Sequence, residues 1–138
     1  MHILMCNDDG ILADGLRHLA SYLSQYYRIT VVAPANEQSA KSHALTTEVP
    51  LKLDAYNGED ENPRLYALTG TPSDCMKFGL SYLLIDDMPD LVISGINHGF
   101  NLGSDVLYSG TVSAAMESCF YGIPGLALSV ERYSPERG

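Results

Sequence analysis

The chain has 138 residues, 46% of them apolar, and sets 8 Lys and Arg against 17 Asp and Glu for a net charge of −9. That content supports one domain with a real core and excludes a disordered polymer. The acidic balance argues against a nucleic-acid backbone as partner, which needs a basic face. No apolar run is long enough to cross a bilayer, and no signal peptide is expected at the N-terminus. The cysteines, Cys6, Cys75 and Cys119, are odd in number and widely spaced. A disulfide framework is therefore not expected, and each reads as a buried thiol of a cytoplasmic protein.

His2–Cys6 reads as a short buried strand, followed by Asn7-Asp8-Asp9-Gly10. Leu16, Leu19, Ala20 and Leu23 recur at helical spacing, which predicts a helix from residue 14 to about 26 with Asp14 as its cap. Ile29–Ala33 is a second buried strand, stopped by Pro34. Strand, helix and strand with short links make a βαβ unit with parallel strands. Residues 34 to 44 read as a loop, and Leu45 to Tyr56 as an extended arm or hairpin. Asn57–Pro63 is an acidic, turn-rich stretch expected to be a solvated connection. Leu65–Thr69 is the next strand. Thr71 and Pro72 then open a helix whose apolar face is Met76, Leu80, Leu83 and Leu84. Leu91–Ser94 is a strand, and residues 95 to 110 a loop rich in Gly and Asn. Val112, Ala115, Met116, Cys119 and Phe120 mark a helix, and Leu126–Val130 a last strand. The alternation predicts an α/β fold in which helices cover both faces of a mostly parallel sheet.

Two adjacent carboxylates, Asp8 and Asp9, at the mouth of a buried strand are costly without a positive partner, and the next six positions hold no Lys or Arg. A hard divalent cation is the natural partner; a solvated turn or a helix-capping Asp is the alternative. In parallel α/β sheets ligands bind beyond the carboxyl ends of the strands. Asn36–Ser39 and Gly95–Gly103 leave two further strand ends with polar chemistry. Together the three segments offer carboxylates, a hydroxyl and an amide carbonyl, an all-oxygen set that suits magnesium or manganese rather than zinc. Ser109-Gly110-Thr111 enters a helix whose N-terminal N–H groups favour an anion such as phosphate; an ordinary capped helix is the alternative there. A cation beside a phosphate cradle is the arrangement that phosphoester hydrolysis requires. His98 is a further acid–base candidate, or an exposed side chain. The first turn lacks the glycine pattern of a nicotinamide site.

Asn7-Asp8-Asp9-Gly10-Ile11, Gln38-Ser39, Gly70–Cys75, Ser94–Gly103 and Asp105–Val112 resemble, in order, the motifs of the SurE survival-protein nucleotidases. The resemblance runs from the first residue to about Val130. It implies a Rossmann-like, three-layer α/β/α fold and a magnesium- or manganese-dependent phosphatase acting on nucleoside 5′-monophosphates, and on 3′-monophosphates as a further class. It also implies a cytoplasmic homodimer or tetramer. Carried over by position, the metal ligands are Asp8, Asp9, Ser39 and Asn97, with Asp8, Asp9 and Asn97 as catalytic residues. Asn101, Ser109, Gly110 and Thr111 line the phosphate end of the cleft. Ala40, Ser113 and Ser118 depart from the family's glycines and leave every implied ligand intact. Family chains continue well past Gly138, so residues 1–138 read as a single domain lacking the C-terminal portion. Two other readings stand beside this one. They are a nucleotide- or metal-binding module without turnover, and a haloacid-dehalogenase-like phosphatase working through an aspartyl-phosphate.

Overall fold

In the computed structural model the described residues are 1–36, 50–98 and 110–130. They form a six-stranded sheet in the order β3-β4-β2-β1-β5-β6, comprising β1 His2–Cys6, β2 Arg28–Pro34, β3 Leu53–Ala55, β4 Arg64–Leu68, β5 Leu91–His98 and β6 Gly125–Val130. Only β3 runs antiparallel to its neighbour, β4; every other adjacent pair is parallel. The helices are α1 Asp14–Leu23, α2 Pro72–Phe78 and α3 Gly110–Cys119, with a π-helical turn at Gly79–Leu83 continuing α2.

β1 is buried at all five positions because both of its faces are covered. Ile3 and Met5 join Ile29, Val31, Leu16 and Ala20 beneath α1. Leu4 and Cys6 point the other way, into a second cluster with Val32, Met76, Leu80, Val92 and Ala114 beneath α2 and α3. Alternation along a central parallel strand thus splits one continuous apolar run between two cores. The fold is the three-layer α/β arrangement expected from the alternation of elements.

β1 connects through α1 to β2 on one side, whereas the chain leaving β4 crosses through α2 to β5 on the other side of β1. The strand order therefore reverses between β1 and β5. A crevice at the carboxyl ends of those two strands is where this topology binds ligands.

Several expectations are corrected. α1 ends at Leu23 rather than near residue 26, and its N-cap is Ala13, with no side-chain cap bond. Asp14 is the first helical residue, where its charge favours the positive helix end without capping it. β5 does not stop at Ser94 but runs to His98. Gly95, at φ +138°, carries it through a register shift against β6, where a Cβ would lie 2.4 Å from the Leu128 carbonyl oxygen. Only a residue without a side chain permits that approach.

The spacing of Met116, Cys119 and Phe120 does mark a helix, but those side chains are exposed, Phe120 at 83%. Small residues, Ser113, Ala114, Ala115 and Ser118, make up much of the buried face. The helix lies so close to β6 that a Cβ on Gly125 would stand 2.5 Å from the Ala115 carbonyl oxygen. Cys6 and Cys75 are buried as expected; Cys119 is not.

The Asn57–Pro63 stretch is more than a solvated link. The Asn62 side chain accepts from the Ile29 N–H and donates to the Ser24 and Tyr27 carbonyls, tying it to β2 and the end of α1.

Candidate active site

β1 delivers Asn7, Asp8 and Asp9 to the carboxyl rim at the point where the strand order reverses. Asn7 and Asp8 are buried and Asp9 is half-buried. The turn is closed by Asn7 itself. Its Nδ2 donates to the Gly10 carbonyl at 2.9 Å, and its Oδ1 accepts from the Gly10 N–H at 3.1 Å. Gly10 sits at φ +111°, a conformation that L side chains rarely adopt. Next along, the Ile11 N–H donates to the Pro34 carbonyl at 2.8 Å, fixing the turn to the end of β2.

β5 pairs with β1 through Cys6 and Ser94, so Asn97 lies three residues further on, at the carboxyl end of the neighbouring parallel strand. It is half-buried and pairs with Ser129 of β6. Asp8 and Asn97 thus leave adjacent strands at the same rim.

The first turn of α3 completes the described part of the site. A Cβ built on Gly110 would lie 2.9 Å from the Asp8 Cβ and 3.0 Å from Pro72 Cγ. The N-termini of α2 and α3 therefore meet at the Asp8 side chain. Thr111 is fully buried, and among the described residues its Oγ1 has no hydrogen-bond partner. The first N–H groups of an α-helix lack intrahelical acceptors, and they carry the positive end of its dipole.

α2 is anchored by a capping box. The Asp74 N–H donates to Thr71 Oγ1 at 3.2 Å, and the Thr71 N–H donates to Asp74 Oδ2 at 2.8 Å. Beneath it lies Cys75, whose thiol burial pushes well up from its ordinary range, with the Cys6 thiol hydrogen-bonded beside it. The Cys6 Sγ also contacts the Pro72 carbonyl at 4.0 Å.

Of the residues singled out in the sequence, Asp8, Gly110 and Thr111 come together, and Asp9 and Asn97 share their rim. Ser39, Asn101 and Ser109 lie outside the described residues, as does the side chain of His98. Among the described residues no three His, Cys, Asp or Glu side chains cluster as a metal site. The proposed donors include only two carboxylates, the others being a hydroxyl and an amide. Sequence reasoning missed the closing role of Asn7 and the contribution of Pro72. The Thr71-x-x-Asp74 spacing was the available signal for the α2 anchor.

A family model described as Survival protein SurE matches residues 3–137. A protein named 5′-nucleotidase SurE from Thermoanaerobacter sp. (strain X514) is 54% identical over 129 residues, covering 94% of this chain and 50% of that protein. One of the same name from Vibrio vulnificus (strain YJ016) is 50% identical over 130 residues, covering 94% and 49%. The crystal structure of SurE protein from Aquifex aeolicus superposes with a TM-score of 0.83 at 41% identity, covering 98% of this chain and 53% of that one. The chain spans about half the length of the curated relatives it matches.

Proposed function

The chain belongs to the SurE survival-protein family, and on that premise we propose that it is the catalytic domain of a metal-dependent phosphatase. Its substrates are nucleoside 5′-monophosphates, and 3′-monophosphates as a further class, hydrolysed to nucleoside and phosphate. The observation that carries this reading is the burial of Asp8 at the strand-order reversal, directly against the first residue of α3. The names of the relatives support the same chemistry.

The residues suit a hard divalent cation, Mg²⁺ or Mn²⁺. Asp8, Asp9, Ser39 and Asn97 offer only oxygen donors, and Asp8 is buried at the rim, 5% exposed. When bound, such an ion supplies charge neutralisation at the phosphoryl group and lowers the pKa of a water. The chain's own part is to bind and orient. Asp8 and Asp9 hold the cation side of the cleft, and Asp8 orients the attacking water. The N–H groups of Gly110 and Thr111, with the Thr111 hydroxyl, receive phosphoryl oxygens, and Asn101 and Ser109 are taken as further phosphate contacts by their match to the family's motifs. Gly110 admits the phosphate and Asp8 to the same small space because it has no side chain.

We further take residues 1–138 as one domain of a longer cytoplasmic protein that works as a homodimer or tetramer. A nucleic-acid polymer or a membrane is not its partner. The net charge of −9 is consistent with the first exclusion, and no described helix is long and apolar enough to cross a membrane.

The test is phosphate release from a nucleoside 5′-monophosphate with added Mn²⁺. Release that EDTA abolishes and excess Mn²⁺ restores is the expected result. Binding of nucleotide without release would instead make the chain a binding module, and a trapped phospho-aspartate would make it a covalent phosphatase.

A further inference from the structure

We infer that Asn7 is a positioning residue for the cation site, the clamp that fixes the direction in which Asp8 and Asp9 leave β1. This rests on the metal-dependent reading above and adds a residue to it.

Asn7 is 1% exposed, and both ends of its amide are taken up by one residue, Gly10. The side chain therefore spans the turn from inside, with Asp8 and Asp9 as the residues it encloses. The far side of the ring is set by backbone conformation. Gly10 is at φ +111°, which L side chains rarely adopt, and it packs against the Pro34 and Asn36 backbone, where a Cβ would be at ordinary contact distance, 3.4 Å from the Pro34 carbonyl oxygen. The Ile11 N–H bond to Pro34 closes the same contact. The acidic turn is thus braced between its own strand and the exit of β2.

Only a side chain with a donor and an acceptor on one carbon, at the length of asparagine, closes this ring. Aspartate keeps the acceptor for the Gly10 N–H but places an oxygen against the Gly10 carbonyl. Alanine leaves both Gly10 groups without this partner. Groups that orient metal ligands from behind commonly change metal affinity by about ten- to a hundredfold when removed.

Mn²⁺ is titrated calorimetrically, without nucleotide, into the wild-type chain, Asn7→Ala, Asn7→Asp and Ile29→Val. The last is a mild change in the core beneath α1, and it controls for general loss of stability. Thermal unfolding of each metal-free protein is measured in parallel. The inference predicts that Asn7→Ala and Asn7→Asp bind Mn²⁺ about ten- to a hundredfold more weakly, while Ile29→Val binds as the wild type does. The aspartate variant is the decisive one. It adds a negative charge that by itself attracts the ion, so weaker binding identifies lost geometry. If Asn7→Asp binds Mn²⁺ as tightly as the wild type or more so, Asn7 does not position the acids. If the wild-type chain binds no Mn²⁺, the metal-dependent reading itself falls, and this inference with it.

Discussion

Gly110 begins α3 directly against Asp8: a Cβ added to the glycine would stand 2.9 Å from the Asp8 Cβ and 3.3 Å from its Oδ2. Pro72, on the other side at 3.0 Å, is a rigid ring with little room to yield. Gly110→Ala must therefore displace the Asp8 side chain or separate the two helix ends. Overpacking of this kind costs about 1–3 kcal/mol. The variant is expected to unfold at a lower temperature and to bind Mn²⁺ more weakly than the wild type. Undiminished Mn²⁺ affinity would show that the contact has no bearing on the acid.

Asp74 closes the box that holds the start of α2, where Pro72 meets Gly110. The residue is buried, and its carboxylate accepts from the Thr71 N–H at 2.8 Å. Asp74→Ala removes that acceptor from a buried N–H. The expected loss is about 1–2 kcal/mol by denaturant titration. Thr71→Ala, which breaks the reciprocal bond, should cost a similar amount, and the double variant less than the sum of the two. Strict additivity would mean that the two bonds do not act as a unit.

The broad fold was legible because burial and periodicity agree. Ile3–Cys6 is an unbroken apolar run covered on both sides, and Leu16 and Ala20 point to the core at helical spacing. The sequence misleads where close packing replaces size. Met116 on α3 and Phe120 just after it are exposed, because the helix lies close to β6 through Ser113, Ala114, Ala115 and Ser118. A hydrophobic stripe records which residues are apolar, not how near the sheet is. Likewise Gly95 reads as the start of a loop, whereas here it lets a strand resume past an irregularity. Within the site, the acids stood out by their charge next to an apolar run. Asn7 did not, because its work is done on the backbone of Gly10, and nothing in the composition of a turn reports that.

His2 gives the fold a pH dependence at the end of the sheet opposite Asp8. Its Nε2 shares a 2.8 Å hydrogen bond with the Thr30 hydroxyl. Burial, then the nearby charge of Arg28, holds its pKa below the ordinary imidazole range, while Asp87 and Asp90 oppose the shift. The unfolded chain takes up this proton near the ordinary value of about 6.5, before the folded chain does. The unfolded state therefore binds more protons in that window, and stability falls as pH drops below about 6.5. In urea titrations at about pH 7.5 and about pH 5.5, His2→Gln should lose less stability between the two than the wild type does. An equal loss would assign the dependence to other groups.

The thiols should separate cleanly in the native protein. Cys6 and Cys75 are buried, and Cys75 is pushed further from its reactive thiolate by that burial, whereas Cys119 is exposed. Thiolate character and access together set reactivity. A colorimetric disulfide reagent is expected to label one of the three cysteines quickly, with the other two reacting only on unfolding. Cys119→Ser should abolish the fast phase; its persistence would place the fast thiol elsewhere.

The central claim is that Asp8 holds a divalent cation at the rim where the strand order reverses. It is tested most directly by calorimetric titration of Mn²⁺ into the wild type and Asp8→Asn, with thermal unfolding of both metal-free proteins alongside. Loss of a direct ligand should weaken binding by about a hundredfold or more, beyond the effect of losing an orienting group. Cooperative thermal unfolding of the metal-free variant shows that the fold is kept, so that the change in affinity reports on the ligand. Equal Mn²⁺ affinity in the two proteins would contradict the account.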